Sequence, residues 1–287
     1  MKGILLAGGK GSRLFPLTIS TNKHLLPIFD KPMIYYSLSV LMLSNIREIS
    51  LITTPESVNA FKNLLGNGDQ FGIKLQYLIQ DQPLGIAECF LIAEDFIGND
   101  PVSLILGDNI FFGYNFSDQL IQASEKNQGA TIFSSFVSNP SEFAVAEFDD
   151  GGNVISLEEK PKSPKSHYAV TGLYFYDNEV VSIAKSLSPS GRGELEITDI
   201  NKIYLKHKKL KNIILGRGFA WLDTGNANSL IAAGNFVRTV EKRQGLKIAC
   251  LEEIAFHKGW ITKEIVLNNI SRYGNTSYAS YLKRIIQ

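Results

Sequence analysis

Between Ala7 and Leu14 the chain places three glycines, Gly8, Gly9 and Gly11, around Lys10 and ahead of Ser12 and Arg13. Glycine lets a loop take positive φ and approach a ligand with no Cβ in the way. Successive backbone N–H groups in such a loop can form a nest for anions, and Arg13 adds a permanent charge whose planar fork suits phosphate. The chemistry that fits is the handling of a phosphorylated ligand. Spacing separates the loop from two familiar motifs. A P-loop requires Gly-x-x-x-x-Gly-Lys-Ser/Thr, and Lys10 lacks that context. The dinucleotide fingerprint Gly-x-Gly-x-x-Gly meets Leu14 where its third glycine belongs. Taken alone, the loop also fits an ordinary glycine-rich βα turn. Asp108 follows Leu106-Gly107, and a carboxylate at the C-terminal end of a parallel strand faces the ligand crevice. Asp223 follows Trp221-Leu222. Each of these also fits a cap or turn aspartate. Lys160 closes the run Glu158-Glu159-Lys160, which in isolation reads as solvated charge.

These residues need a frame, and the hydrophobic pattern supplies one. Ile4–Ala7 reads as a buried parallel strand. A helical stretch at Met33–Leu43 follows, then a strand at Ile49–Thr53 and a helix from about Glu56. Next come a strand at Leu75–Ile79, a short helix at Ile86–Ala93, a strand at Val102–Leu106, a helix near Ser117–Glu125 and a strand at Thr131–Phe136 that continues the series. Repeated βα units predict an α/β fold: a Rossmann-like mixed, mainly parallel sheet with helices on both faces. After Pro140 the pattern changes. Val145–Phe148, the turn Asp149–Gly152 and Val154–Leu157 read as a hairpin, and Ala169–Tyr176 as a further strand, together a small antiparallel insertion. Helices near Asn178–Leu187 and Thr198–His207, a strand at Asn212–Leu215, a long helix over Ala227–Arg243 and a helical C-terminal tail complete the reading.

Composition bounds the partners. The 287 residues carry 29 Lys and Arg against 28 Asp and Glu, a net charge of +1. No global field therefore points to nucleic acid or to a membrane, and any phosphate site must be local. No apolar run is long enough to span a bilayer, and Ile4–Ala7 is too short for a secretory signal, so a cytoplasmic location is expected. Cys89 and Cys250 lie far apart in apolar surroundings and are expected reduced and buried.

Several motifs recur in a set order: Leu-Ala-Gly-Gly-x-Gly-x-Arg-Leu at the start, Lys23-His24-Leu25-Leu26-Pro27, Lys31-Pro32-Met33-Ile34, Leu106-Gly107-Asp108-Asn109, Glu158-Glu159-Lys160-Pro161, Arg192-Gly193-Glu194-Leu195-Glu196 and Trp221-Leu222-Asp223-Thr224-Gly225. In this order the chain resembles the sugar-1-phosphate nucleotidylyltransferases, and among them those that join dTTP to glucose 1-phosphate. The resemblance implies attack of a sugar-phosphate oxygen on the α-phosphorus of the nucleotide, with loss of pyrophosphate. A phosphate monoester has its second pKa near ~6 and is already ionised, so no general base is required. The difficulty is bringing two anions together, which calls for positioning, cations and a metal.

The resemblance further implies roles residue by residue. Arg13 and Lys23 contact the triphosphate, with Lys23 near the α-phosphate. Leu6, Gly8, Gly9, Gly11 and Ser12 join them around the nucleotide. Gln80 and Gly85 read the base, because an amide can pair with a pyrimidine edge. Lys160 meets the sugar phosphate, Glu159 the sugar hydroxyls, and Ala144 and Val170 the sugar by backbone. Asp108 and Asp223 hold Mg²⁺, which typically takes one or two carboxylates plus substrate phosphates. The 192–196 segment is expected as an ordered loop, structural or sugar-flanking, leading into a helix capped near Thr198.

Relatives usually carry Asp and Gln where Leu84 and Glu88 stand, Tyr-Gly for Phe143-Ala144, and Ser and Gln for Asn22 and His24. UTP or another sugar phosphate is therefore an alternative substrate, and a non-catalytic nucleotide-sugar sensor is a second alternative. His24 is either a phosphate neighbour or a satisfied polar side chain. Residues 1–245 are expected to form the transferase body, with a nucleotide half to about 137 and a sugar half from about 138. Residues 246–287 would be a helical appendage offering an oligomer or regulatory surface. A homotetramer and an end-product nucleotide-sugar effector complete the expectation.

Overall fold

The first strand sets the layering. In the computed structural model, which describes residues 1–287, β1 (Lys2–Ala7) alternates its side chains between two cores. Leu5 and Ala7 enter one and Ile4 and Leu6 the other. A strand apolar on both faces must be covered on both, and the following elements do this. The chain continues through β2 (Pro27–Ile28), β3 (Lys31–Pro32), α1 (Ile34–Leu43), β4 (Glu48–Thr53), α2 (Val58–Leu65) and β5 (Lys74–Ile79). Then come α3 (Glu88–Ile92), α4 (Glu94–Ile97), β6 (Val102–Leu106), β7 (Asn109–Phe112), α5 (Phe116–Glu125), β8 (Ala130–Phe136), β9 (Ala144–Phe148), β10 (Val154–Glu159) and β11 (Tyr168–Tyr176). The remainder is α6 (Glu179–Ser186), α7 (Ile197–Lys206), β12 (Leu210–Leu215), β13 (Ala220–Asp223), α8 (Ala227–Gln244), α9 (Leu251–His257), α10 (Lys263–Tyr273) and α11 (Ser277–Ile285).

Strands β5, β4, β1 and β6 pair in parallel, as the repeated βα units predict. Beyond β6 the sheet differs from the expectation. Thr131–Phe136 does not extend the parallel run directly. The antiparallel strand β11 lies between β6 and β8, and β12 then pairs in parallel with β8. The strand over 169–176 is thus central to the main sheet and not confined to a small antiparallel insertion. Its own residues explain this, since Ala169 through Tyr176 are all buried. The hairpin of β9 and β10 branches from the first half of β11, whose ladder shifts register between Val170 and Tyr174. Two small sheets were not foreseen: β2 with β3, and β7 with β13, where Asp223 stands opposite Asn109.

The tail packs on α1. Cys250, Leu251, Ala255, Val266, Ile270 and Leu282 lie in the same core as Leu38 and Leu41. Both cysteines are buried thiols. No helix is long and apolar enough to cross a membrane. A buried charge cluster links the tail to the body. Glu241, near the end of α8, accepts from Lys31 Nζ at 3.0 Å and from the Ile248 N–H at 2.9 Å. Lys247 bridges Glu241 and Asp30, and Asp30 also pairs with Lys31. Burial alone would lower the Lys247 pKa, but the hydrogen bond and charge of Asp30, together with Glu241, raise it above 10.5. A raised folded value means that this contribution is fully present below the unfolded pKa and fades as pH rises through the folded one. The melting temperature should therefore fall more steeply above pH 10.5 in the wild type than in Lys247→Met. Parallel melting curves would refute this.

Candidate active site

The glycine loop leaves β1 with Gly9 at φ +83° and Gly11 at φ +60°, left-handed values that a side chain disfavours. It turns into a short 3₁₀ turn, Ser12–Leu14, that carries Arg13. A second such turn, Lys23–Leu25, carries Lys23 and is capped by Asn22, whose Oδ1 accepts the His24 N–H at 3.0 Å. Asn22 is itself tied down, because its Nδ2 donates to the carbonyl of Ala7 and to Ser57 Oγ, each at 3.1 Å. The end of β1 therefore fixes the turn that presents Lys23.

Lys23 reaches Asp108, with Nζ 2.5 Å from Oδ2. Asn109 Nδ2 donates to the other carboxylate oxygen at 2.9 Å. Burial by itself would raise the Asp108 pKa, but the Lys23 charge and these hydrogen bonds hold the group well below the ordinary carboxylate range. The Asp108 carbonyl accepts from the Thr224 N–H at 3.1 Å and from its hydroxyl at 2.8 Å. This sets the turn after β13, and so Asp223, against the end of β6. Burial, then the Asp108 charge, raises Asp223 to about 6, against the pull of Arg13 and Lys23. Two carboxylates forced together, one of them short of positive charge, suit a hard divalent cation bound by few protein groups.

Asn109 also organises the opposite wall. Its Oδ1 accepts from Trp221 Nε1 at 2.7 Å and from the Gly172 N–H at 3.0 Å, where β11 loses its regular pairing. At the end of β10, Glu159 accepts from Thr198 Oγ1 at 2.6 Å and from Arg192 at 3.3 Å. Arg192 is held by Glu196 through Nε at 3.1 Å and through its terminal nitrogen at 2.8 Å. Lys160 follows with φ +44°, a costly conformation for a residue with a Cβ and one that gathers at functional sites.

One cleft of about 340 Å³ joins these walls. The expected residues Leu6, Gly8, Gly9, Arg13, Lys23, Gln80, Gly85, Asp108, Ala144, Glu159, Lys160, Val170 and Asp223 all line it. Gly11 and Ser12 stand outside its lining, and Gly11 accepts instead from the Thr18 hydroxyl at 2.8 Å. His24 lines the cleft as a buried, satisfied side chain, with Nδ1 2.7 Å from Asn22 Oδ1. Burial, then Lys23, pushes its pKa down to about 3, so the ring is neutral. Thr198 does not cap α7. Glu196 occupies the cap position and the Thr198 hydroxyl is engaged by Glu159. Sequence reasoning missed the organising role of Asn109 and the place of Trp221 in the wall, whereas Arg192 and Glu196 belong to the 192–196 loop expected as structural or sugar-flanking. The polar pair Asp108-Asn109 was the available signal for the first.

Known proteins resemble this chain along its whole length. Residues 2–240 match the model of the nucleotidyl transferase family. The chain is 56% identical over 286 residues to a glucose-1-phosphate thymidylyltransferase of Neisseria gonorrhoeae, covering 100% of this chain and 99% of that protein. It is 51% identical over 286 residues to the enzyme of that name from Mycolicibacterium smegmatis, again covering 100% and 99%. A crystal structure from Bacillus anthracis, assigned as a glucose-1-phosphate thymidylyltransferase and solved with sucrose, superposes with a TM-score of 0.77 at 44% identity, covering 83% of this chain and 95% of that one. With the family model spanning most of its length and full-length relatives sharing half its residues, the chain belongs to the nucleotidyl transferase family.

Proposed function

We propose that the cleft transfers a thymidylyl group from dTTP to α-D-glucose 1-phosphate, releasing pyrophosphate and leaving dTDP-glucose. A sugar-phosphate oxygen forms the new bond to the α-phosphorus, and the bond from that phosphorus to the bridging oxygen of the β-phosphate breaks in line. The observation that carries this reading is the gathering of Arg13, Lys23 and Lys160 around one cleft whose floor holds Asp108 and Asp223. A sensor would need no such set of cations. The names borne by the full-length relatives support the choice of substrates.

Arg13 and the glycine-loop amides hold the triphosphate. Lys23, now paired with Asp108, has a flexible stem and can carry its ammonium to the α-phosphate oxygens, where charge accumulates during transfer. Glu159 takes sugar hydroxyls as an acceptor, with its second oxygen fixed by Thr198, and Lys160 takes the sugar phosphate. Asp108 and Asp223 would hold Mg²⁺, which would supply divalent charge beside the triphosphate. Gln80 and the 83–85 loop read the base.

Pyrophosphate release measured across a grid of nucleotides and sugar phosphates tests the reading. dTTP with glucose 1-phosphate should give the highest kcat/KM. A grid led by UTP, or by another sugar phosphate, would replace the substrate assignment, and no turnover with any pair would sink the reaction. Within the same assay, Lys160→Ala should raise KM for glucose 1-phosphate by about tenfold or more while changing KM for dTTP little, since one charged contact is lost on one substrate. Equal effects on both would remove Lys160 from the sugar-phosphate side.

A further inference from the structure

The base end of the cleft contains a hydrogen bond that leads out of its wall. Gln80 is 6% exposed. Its Nε2 donates to Glu88 Oε2 at 2.8 Å and lies 3.4 Å from the Gly85 carbonyl. Its Oε1 sits over Gly8, so close that a Cβ there would be 2.3 Å away. Gln80, Gly8 and Gly85 line the cleft, whereas Glu88, the first residue of α3, does not.

A side-chain amide has a donor arm and an acceptor arm, and a carboxylate only accepts. Glu88 therefore decides which arm of Gln80 is turned away. In the reverse orientation two acceptors would face each other with no proton between them, and a charge-assisted hydrogen bond would be lost. The arm left to the ligand side, beside Gly8, is the acceptor.

We propose that Glu88 is a positioning residue for base selection: it locks Gln80 with its carbonyl toward the nucleotide, so that the site favours bases with an N–H at ring position 3 over bases with a bare ring nitrogen there. Thymine and uracil belong to the first class and cytosine to the second. The device is blind to the 5-methyl group and does not separate thymine from uracil. The inference rests on the placing of the base at Gln80 proposed above.

The test compares kcat/KM for dTTP and dCTP, with glucose 1-phosphate saturating, in the wild type, Glu88→Gln and Glu88→Lys. Lysine replaces an obligatory acceptor with an obligatory donor and should turn the Gln80 amide over. Glutamine permits both orientations. The dTTP:dCTP ratio should fall by at least about tenfold in Glu88→Lys, the scale of one charge-assisted hydrogen bond, and by less in Glu88→Gln. KM for glucose 1-phosphate should stay within about twofold, as expected for loss of a contact made by one substrate only. The ratio cancels any general effect of added charge on triphosphate binding. A preference for dTTP that survives both substitutions overturns the role of Glu88, as does a parallel loss of both activities with a raised KM for the sugar phosphate. If Glu88→Lys does not unfold cooperatively, the ratio in Glu88→Gln decides alone, and an unchanged value overturns the proposal. A wild type with no preference for dTTP over dCTP would instead remove the base from Gln80.

Discussion

Asp108→Asn should lower kcat by on the order of 10³-fold, about 4 kcal/mol of barrier, while leaving a cooperatively folded protein. Asparagine keeps the size of the side chain and an acceptor for the Asn109 amide, which now donates to Oδ1 at 2.9 Å. The backbone of residue 108 keeps both hydrogen bonds from Thr224. What disappears is one negative charge at the centre of the cleft. That charge has two tasks in the proposed reaction. It holds Lys23 at 2.5 Å before substrate arrives, and with Asp223 it provides the carboxylates for a divalent ion. In the variant, Lys23 has no carboxylate to hold it in position, and Asp223 loses the neighbour whose charge helps to raise it. The two losses point the same way for turnover and leave nucleotide affinity less affected, because Arg13 and the glycine loop remain. The measurements are single-turnover chemistry with metal present and dTTP binding by calorimetry. A variant turning over within tenfold of the wild type would take Asp108 out of the chemistry.

Much of this site could be read from the chain, and the exceptions share a cause. The parallel half was legible because its strands are short, largely apolar runs, β1 and β6 ended directly by Gly8 and Gly107, and β1 announces its ligand end with Gly8 and Gly9. The residues on that edge, Arg13, Lys23 and Asp108, came into one cleft because the C-terminal ends of β1 and β6 are neighbours. β7 and β13 escaped notice because each has four residues and their pairing joins segments over a hundred residues apart. Local pattern carries no record of such a partner. β11 is apolar apart from Thr171 and Gly172, and Ala169–Tyr176 is buried throughout. Its seat between β6 and β8 is a matter of strand order, which periodicity does not encode. From its local position the helix reads as capped near Thr198, and the carboxylate that claims the Thr198 hydroxyl comes from β10, 39 residues earlier. Glu88 was visible only as an unusual residue. Its hydrogen bond to Gln80 gives that difference a physical consequence.

The charges around Glu241 were the least legible, since lysine and glutamate default to the surface. Here the Lys31 and Glu241 side chains are 2% and 5% exposed. Glu241→Leu should destabilise the protein by about 3 kcal/mol or more, because breaking a buried pair strands a charge. For a chain of this size that corresponds to a fall in Tm of roughly 6–12 °C. The cluster contains two acids, Asp30 and Glu241, and two bases, Lys31 and Lys247. Removing Glu241 alone leaves one acid between two lysines, and removes the acceptor of the Ile248 N–H where the tail begins. Removing Lys31 as well restores the balance, because Asp30 and Lys247 remain paired. The double variant Lys31→Met/Glu241→Leu should therefore be more stable than the sum of the two single losses predicts, as expected of directly interacting residues. Strict additivity would mean that the singles lose packing and not charge balance. The functional reach follows from chain order. β2 and β3 leave the Lys23–Leu25 turn directly, and the Leu26 carbonyl accepts from the Met33 N–H at 2.9 Å across them. Loosening this anchor leaves the turn that presents Lys23 held at its Asn22 end alone, so Glu241→Leu should lower kcat below its melting range, whereas the double variant should regain much of it.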